Sequence, residues 1–467
     1  MKSLIDDARR RTGGVLRSVR RLEALVVLAL AIAIQQRTEA APPELQKIAP
    51  GGYQCFFLVG GDVVGIGSNR CGQLGFGIGA PYPPAPPVAI QVPPHTKFID
   101  VVAGGYHSLA VDTTGHVWTW GSNRYGQRGD GSPLERDGIP VPPEYGLPNR
   151  IAHDNEGHDF DGVIRVCSGW WINGALKSDG SVWVWGKNSE ETNGLAGSAE
   201  VTSATVDRPT QVPFERGVSI VEVATSGAMM VARDADGRVW SWGGSDNSSE
   251  NRGSGEGDFT KPSLLPNLPK IQAIAVGDGF SYALDGAGNL WGWGLSGTYL
   301  GLGPAQGGWF PQPTPVKLSF PEFGGTPVAT VAVSGHSTHV ILADGTLWGW
   351  GDSALGEVGN GEMLDFAQCN YSWDWGKFER LVFRPVRIAP DVENFAALYS
   401  TAMCFYTYAV TQDGRFYSWG RNKTGILGDG VIPTGNVAEH PDSWNVPTAT
   451  RVSPFSRQGI REVPAKR

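Results

Sequence analysis

A hairpin that closes on an aromatic pair recurs along this chain and limits its fold more than any other feature. Five copies are clear: Val117-Trp118-Thr119-Trp120-Gly121, Val182-Trp183-Val184-Trp185-Gly186, Val239-Trp240-Ser241-Trp242-Gly243, Leu290-Trp291-Gly292-Trp293-Gly294 and Leu347-Trp348-Gly349-Trp350-Gly351. Two are degenerate, Val63-Val64-Gly65-Ile66-Gly67 at the front and Phe416-Tyr417-Ser418-Trp419-Gly420 at the back. The closing glycines fall at 67, 121, 186, 243, 294, 351 and 420, a spacing of 51 to 69 residues. Solenoid repeats are shorter, so a period this long predicts one small sheet per repeat.

Each copy has the same internal order. An alternating apolar stretch such as Leu109-Ala110-Val111 runs into a turn, Asp112-Thr113-Thr114-Gly115, and then into the aromatic strand. Asp starts such a turn because its carboxylate accepts from nearby backbone N–H groups, and Gly tolerates the positive φ that a tight hairpin needs. A polar loop follows, as in Gly72-Gln73-Leu74-Gly75, Gly126-Gln127-Arg128-Gly129 and Gly425-Ile426-Leu427-Gly428. Proline-bearing segments such as Arg208-Pro209-Thr210-Gln211-Val212 and Arg384-Pro385-Val386-Arg387-Ile388 suit outer edge strands, where a missing donor costs least. An inner strand such as Val101-Val102-Ala103 then leads into Gly104-Gly105. The 65 glycines and 33 prolines supply these turns, and 40% hydrophobic residues supply the core. The expected fold is all-β, a seven-bladed propeller of four-stranded blades over 42–467.

Residues Gly104 to Gly131, with His107, Trp120, Gly121, Asn123, Gly126 and Gln127, resemble the repeat of the regulator of chromosome condensation family. The resemblance covers about residues 45 to 463 and implies the same seven-bladed propeller. Gln54, Ile172 and Phe280 stand where His107 does, so that position serves structure and not chemistry. Strands from both ends of the chain are expected to share one blade and so fasten the ring.

The first forty residues differ in character from the rest. Residues 1–41 hold eight Lys or Arg against four Asp or Glu, and the remainder carries 30 basic and 42 acidic groups. The apolar run Ala24 to Ile34 is too short to span a bilayer, which needs about 20 residues. Residues 1–41 are therefore read as a signal peptide, with an uncleaved anchor as the alternative. Secreted or periplasmic placement follows, as in bacterial-type members of the family, with membrane contact only if the segment stays attached. The acidic balance of the remainder sets against a nucleic-acid partner.

No catalytic constellation stands out: the chain lacks a P-loop, a Gly-x-Ser-x-Gly elbow and a His-Glu-x-x-His helix. The polar run His153 to Asp161 has metal-ligand residue types at no metal-site spacing, and is read as a solvated loop. Asp234-Ala235-Asp236-Gly237 begins like a calcium loop and is read as a hairpin turn. Ten of the 17 tryptophans lie in the repeated pairs, so those outside them carry more information. An enlarged loop at about 362–380 holds Phe366, Tyr371, Trp373, Trp375 and Phe378, which together with Trp170, Trp171 and Trp309 form the candidate partner-binding set. Export would pair cysteines, and the candidates are Cys55 with Cys71 and Cys369 with Cys404, leaving Cys167 free.

The expectation is a non-enzymatic extracytoplasmic propeller, monomeric and without cofactor or metal, that recognises a protein partner through loops on one face. Guanine-nucleotide exchange on a small GTPase is the alternative that the resemblance implies. A carbohydrate-binding or carbohydrate-active propeller is the third reading.

Overall fold

The computed structural model describes residues 45–452 apart from 79–86, 136–141, 189–194, 196, 198–202, 228, 245–252, 255–259, 295–298, 304–310, 364–380, 423–424 and 428–445. Residues 1–41, Trp309, Phe366, Cys369, Tyr371, Trp373, Trp375 and Phe378 lie outside the described residues. Seven four-stranded antiparallel sheets occupy 45–89, 98–150, 163–211, 220–264, 271–317, 328–388 and 395–452, numbered here as blades 1 to 7. Blade 2 shows the pattern: an inner strand Phe98–Ala103, a second His107–Asp112, a third Val117–Gly121 and an outer Asn149–Arg150. The proline-bearing segments do form outer edge strands, as in Thr205–Gln211 and Leu381–Ile388. Among the described residues no helix is long and apolar enough to cross a membrane.

The two tryptophans of each pair have different tasks. The first is tied to its own hairpin: Trp118, Trp240 and Trp291 donate Nε1–H to the carboxylates of Asp112, Asp234 and Asp285. The other oxygen of Asp234 accepts from the Asp236 and Arg238 backbone, so the fragment that began like a calcium loop is a turn. Burial pushes the Asp234 carboxyl up, but the bonds from Trp240 and Arg238 outweigh it and hold the group below its usual range. In blades 3 and 6, Ser181 and Thr346 take over as acceptors for Trp183 and Trp348.

The second tryptophan reaches across to the preceding blade. Trp120 donates to the Gln73 carbonyl at 2.8 Å, Trp185 to Gln127 at 2.9 Å, Trp242 to Leu195 at 3.0 Å, Trp350 to Tyr299 at 3.0 Å and Trp419 to Glu357 at 2.8 Å. All five indoles are fully buried, so each bond forms where an unmet polar group is costly. The loop glycines make this approach feasible. Gly129 has φ +67°, and a Cβ there would lie 2.6 Å from the Trp185 ring.

The core lies between blades. Apolar clusters join blade 1 to 2 (Phe56, Leu74, Trp120), 2 to 3 (Leu109, Phe160, Trp185) and 3 to 4 (Val184, Leu195, Trp242). Further clusters join 4 to 5, and then 5 through 6 to 7. Every inner strand carries a register shift near its start, as between Phe98 and Asp100, which adds the local bend and twist of a bulge.

Closure departs from the sequence expectation. Blade 1 is built wholly from 45–89 and blade 7 wholly from 395–452, so the described ends do not share a sheet. Side chains fasten the seam instead. The Tyr406 hydroxyl accepts from Gly51 N–H at 3.0 Å and donates to the Gln54 carbonyl at 2.9 Å, while Thr401 donates to the Pro50 carbonyl. Beneath them Ile48, Cys55, Phe57, Cys404, Tyr406 and Tyr408 pack as one cluster.

The disulfide expectation is also corrected. Cys55, Cys71, Cys167 and Cys404 are free thiols. Cys55 sits opposite Ile66 in the sheet and is buried in the seam cluster, whereas Cys71 is half-buried in a loop beyond the strand. Cys404 accepts from Thr401 N–H at 3.0 Å, and its proposed partner Cys369 is outside the described residues. Burial pushes the Cys167 thiol up to about 12.

Candidate functional site

The strand order gives the propeller two unlike faces. One carries the tight hairpins between second and third strands, such as 113–116; the other gathers the turns after the inner strands and the long loops between third and outer strands. The loop-rich face holds the only extended array of aromatic and cationic side chains among the described residues that spans several blades.

This array starts at the residue just before each second strand. Tyr53, Tyr106, Trp171 and Phe405 occupy that position in blades 1, 2, 3 and 7, with Trp170 preceding Trp171. Tyr53 and Tyr106 stack at 5.0 Å between centroids, and Trp170 lies 6.3 Å from Tyr53 and 6.4 Å from Tyr106. Trp170 continues to Trp171 at 6.2 Å, and Trp171 to Tyr125 at 5.8 Å. The paired glycines make room for it: a Cβ on Gly105 would lie 2.6 Å from the Trp170 ring, and one on Gly52 3.2 Å.

Cations are threaded between the rings. Arg421 sits over both Tyr53 and Phe405 at 5.7 Å, bridging the seam from blade 7 to blade 1. Lys187 Nζ lies 5.3 Å from Tyr125 and 5.0 Å from Trp171, and Arg124 lies 5.8 Å over Tyr125. Arg70 and Arg124 are exposed. Burial raises the Tyr106 phenol above its ordinary value, and the hydrogen bond with Tyr53 adds to the rise.

Carboxylates occur among the described residues on the opposite side of this face. Asp278, half exposed, lies 3.6 Å from His336, whose ring stacks on Tyr299 at 5.2 Å. Glu357 takes the place that Gln127 holds in blade 2, accepting from Leu355 N–H as Gln127 accepts from Tyr125 N–H. Burial, with Asp352 adding to it, pushes the Glu357 carboxyl well above its usual range.

A cavity of about 300 Å³ runs along the ring axis, lined by inner strands of all seven blades. Its lining is mainly small and aliphatic, with Val102, Val166, Ile274, Val331 and Leu398, and includes no Asp or Glu. It therefore lacks the carboxylate pair that glycoside hydrolysis requires. The run His153 to Asp161 is a turn: Asp154 accepts from the Glu156 and His158 N–H groups. Among the described residues no group of three or more His, Cys, Asp or Glu is placed to hold a metal.

Of the sequence candidates, only Trp170 and Trp171 are described, and both fall in the arc. Tyr53, Tyr106, Tyr125, Lys187, Phe405 and Arg421 were missed. A signal existed, since aligning the seven turns puts Tyr, Trp or Phe at one position ahead of the second strand in four of them.

Residues 62–457 match the model of the RCC1-like domain. The chain is 27% identical over 323 residues to "E3 ubiquitin-protein ligase HERC2" of Homo sapiens, covering 67% of this chain but only 6% of that protein. It is 25% identical to "Regulator of chromosome condensation" of Homo sapiens, over 82% of this chain and 84% of the relative. It is 26% identical to "Guanine nucleotide exchange factor SRM1" of Saccharomyces cerevisiae, over 72% of each. Among solved structures, Prp20p of Saccharomyces cerevisiae superposes with a TM-score of 0.64 at 22% identity, covering 90% of this chain and 89% of that one.

These relatives overturn two expectations. A secreted or periplasmic placement, or a membrane anchor, does not fit a chain whose relatives are named for chromosome condensation and nucleotide exchange. The extracytoplasmic binding function falls with it, and these relatives give the bacterial-type assignment no support. An apolar run behind basic residues was read from composition, and composition does not say which machinery meets the segment.

Proposed function

Because this chain belongs to the RCC1-like domain family, we propose that it is a guanine-nucleotide exchange factor for a small GTPase, acting through its loop-rich face. The observation that carries the reading is the arc from Phe405 to Arg124, in which half-buried Trp and Tyr rings alternate with cations on a rigid ring of blades. Such residues dominate binding energy at protein interfaces. One relative is named as an exchange factor, and Prp20p is described as having binding properties to Gsp1p and histones.

Exchange requires no nucleophile or general base from this chain. A protein that binds the nucleotide-free GTPase more tightly than the nucleotide-bound form lowers nucleotide affinity by the same factor. The propeller's part is to hold its contact surface rigid, so that little binding energy is lost in ordering it. Trp170 and Trp171 are the anchors proposed here. Trp309, Phe366, Tyr371, Trp373, Trp375 and Phe378, which lie outside the described residues, are proposed as further contacts.

The test is release of fluorescent GDP from small GTPases of the source cell, with and without this protein. Release from one of them should accelerate, and Trp170→Ala with Trp171→Ala should remove the acceleration while the melting curve stays in place. If no GTPase responds, the reading fails.

A further inference from the structure

Inner strands of all seven blades line the axial cavity of about 300 Å³, and blade 7 breaks their pattern. At the fifth position of the inner strand, blades 1, 4, 5 and 6 carry Ala49, Ala224, Ala275 and Ala332, whereas blade 7 carries Tyr399. The small side chains leave room along the axis, and the tyrosine brings a hydroxyl to it. That hydroxyl makes no hydrogen bond among the described residues, and the hydroxyl of the next residue, Ser400, is buried without a partner. The other hydroxyls of the lining are engaged. Ser168 lies 3.1 Å from His107 Nε2, Thr225 donates to the Met229 carbonyl at 2.9 Å, and Thr401 donates to the Pro50 carbonyl at 3.3 Å.

The lining also offers no unpaired charge. Its one charged side chain, Lys47, is held by the buried Asp100 at 2.6 Å, and Asp100 accepts as well from the Val101 and Val166 N–H groups. The pair is neutral as a unit, so it gives an anion no net attraction, and drawing Lys47 away would strand a buried carboxylate. A cation would find no Asp or Glu in the lining.

From this arrangement we infer that the axial cavity binds a small uncharged molecule with an aliphatic body and one hydroxyl or carbonyl oxygen, such as a medium-chain alcohol or ketone, with Tyr399 as hydrogen-bond donor. Burial raises the Tyr399 phenol, so it keeps its proton at neutral pH. The volume stands at the lower end of small-molecule pockets, which run from roughly 300 to 1,000 Å³. A wall of Val, Ile, Leu and Ala side chains holds water weakly, and replacing such water with apolar surface favours binding. A sugar is disfavoured, because most of its hydroxyls would be buried without partners.

Titration calorimetry of the purified full chain tests this with three probes that share one aliphatic body: octanol, octanoate and octylammonium, all at neutral pH. Octanol should bind at one site per chain, and each charged probe at least about tenfold more weakly. Tyr399→Phe keeps the ring and should weaken octanol by about fivefold. Ala224→Leu with Ala275→Leu fills the cavity from blades 4 and 5 and should abolish binding. If that double variant does not fold, Ala224→Val and Ala275→Val singly should each weaken octanol by about threefold or more. No saturable octanol binding, equal affinity for the three probes, unchanged affinity in Tyr399→Phe, or unchanged affinity in a folded filling variant overturns the inference. It does not rest on the exchange reading: the assay contains no GTPase, so octanol binding and GDP release succeed or fail separately.

Discussion

His107 is fully buried, and its stability contribution should depend on pH in a calculable way. Its Nε2 pairs with Asn173 Oδ1 at 2.8 Å and lies 3.1 Å from the Ser168 hydroxyl, while Nδ1 has no partner among the described residues. A second proton on the ring would thus enter an apolar site without an acceptor. Burial pushes the imidazole down from 6.5 to about 4, against a smaller upward pull from Asn173. The unfolded chain therefore binds more protons than the folded one between these values. Stability is full above pH 6.5 and is lost as pH falls through the window. From pH 7 to pH 5, this one group should cost about 2 kcal/mol. His339, also buried and pushed down to about 4, adds a similar slope, and the raised Glu357 carboxyl opposes both. The wild-type slope alone is thus a mixture, and the informative quantity is a difference. Blade 1 already uses glutamine at the equivalent position, where Gln54 Nε2 donates to the Gly104 and His107 carbonyls, so His107→Gln is the replacement with precedent in this fold. Urea unfolding at pH 7 and pH 5 should show a loss smaller by about 2 kcal/mol in His107→Gln than in the wild type. Equal losses in wild type and His107→Gln would refute the argument.

Other consequences are simpler to check. Tyr406→Phe removes both seam bonds, to Gly51 and Gln54, and should cost about 1–3 kcal/mol in chemical denaturation, with faster proteolysis at the junction of blades 7 and 1. Gly129→Ala must place a Cβ against the Trp185 ring at positive φ; a loss of about 2 kcal/mol or more is expected, and an unchanged midpoint would contradict the packing. A thiol reagent should modify half-buried Cys71 first, with Cys55, Cys167 and Cys404 reacting only after unfolding. Any disulfide among these four on non-reducing mass mapping would contradict their description as free thiols. Trp242→Phe leaves the Leu195 carbonyl without its indole donor and should lower stability by about 1–3 kcal/mol by the same assay.

Much of the fold was legible because its signals are local. The Asp112 turn, the Trp118 and Trp120 pair and the Gly126-Gln127 loop lie within sixteen residues, and their spacing sets the strands and the turn between them. Seven such signals at a near-constant period give the number of blades, and the drift from His107 to Gln54, Ile172 and Phe280 marks that position as packing. The aromatic arc was only half legible. Trp170 and Trp171 stood out by residue type, whereas tyrosines at the same turn in other blades looked ordinary one at a time.

The sequence alone therefore determined the family, the sheet within each repeat and the ring of seven, because hairpin turns and side-chain alternation act over a few residues. Tertiary structure decided what meets across blades. Arg421 lies over Tyr53 from the far end of the chain, Tyr406 closes the ring on Gly51 and Gln54, and Cys55 and Cys404 share one apolar cluster as free thiols. Radial closure brings residues some 350 positions apart into contact, as Gly51 and Tyr406 are, at a separation no local pattern encodes. The loop-rich face is therefore a product of the closed ring, assembled from turns that carry little meaning one by one.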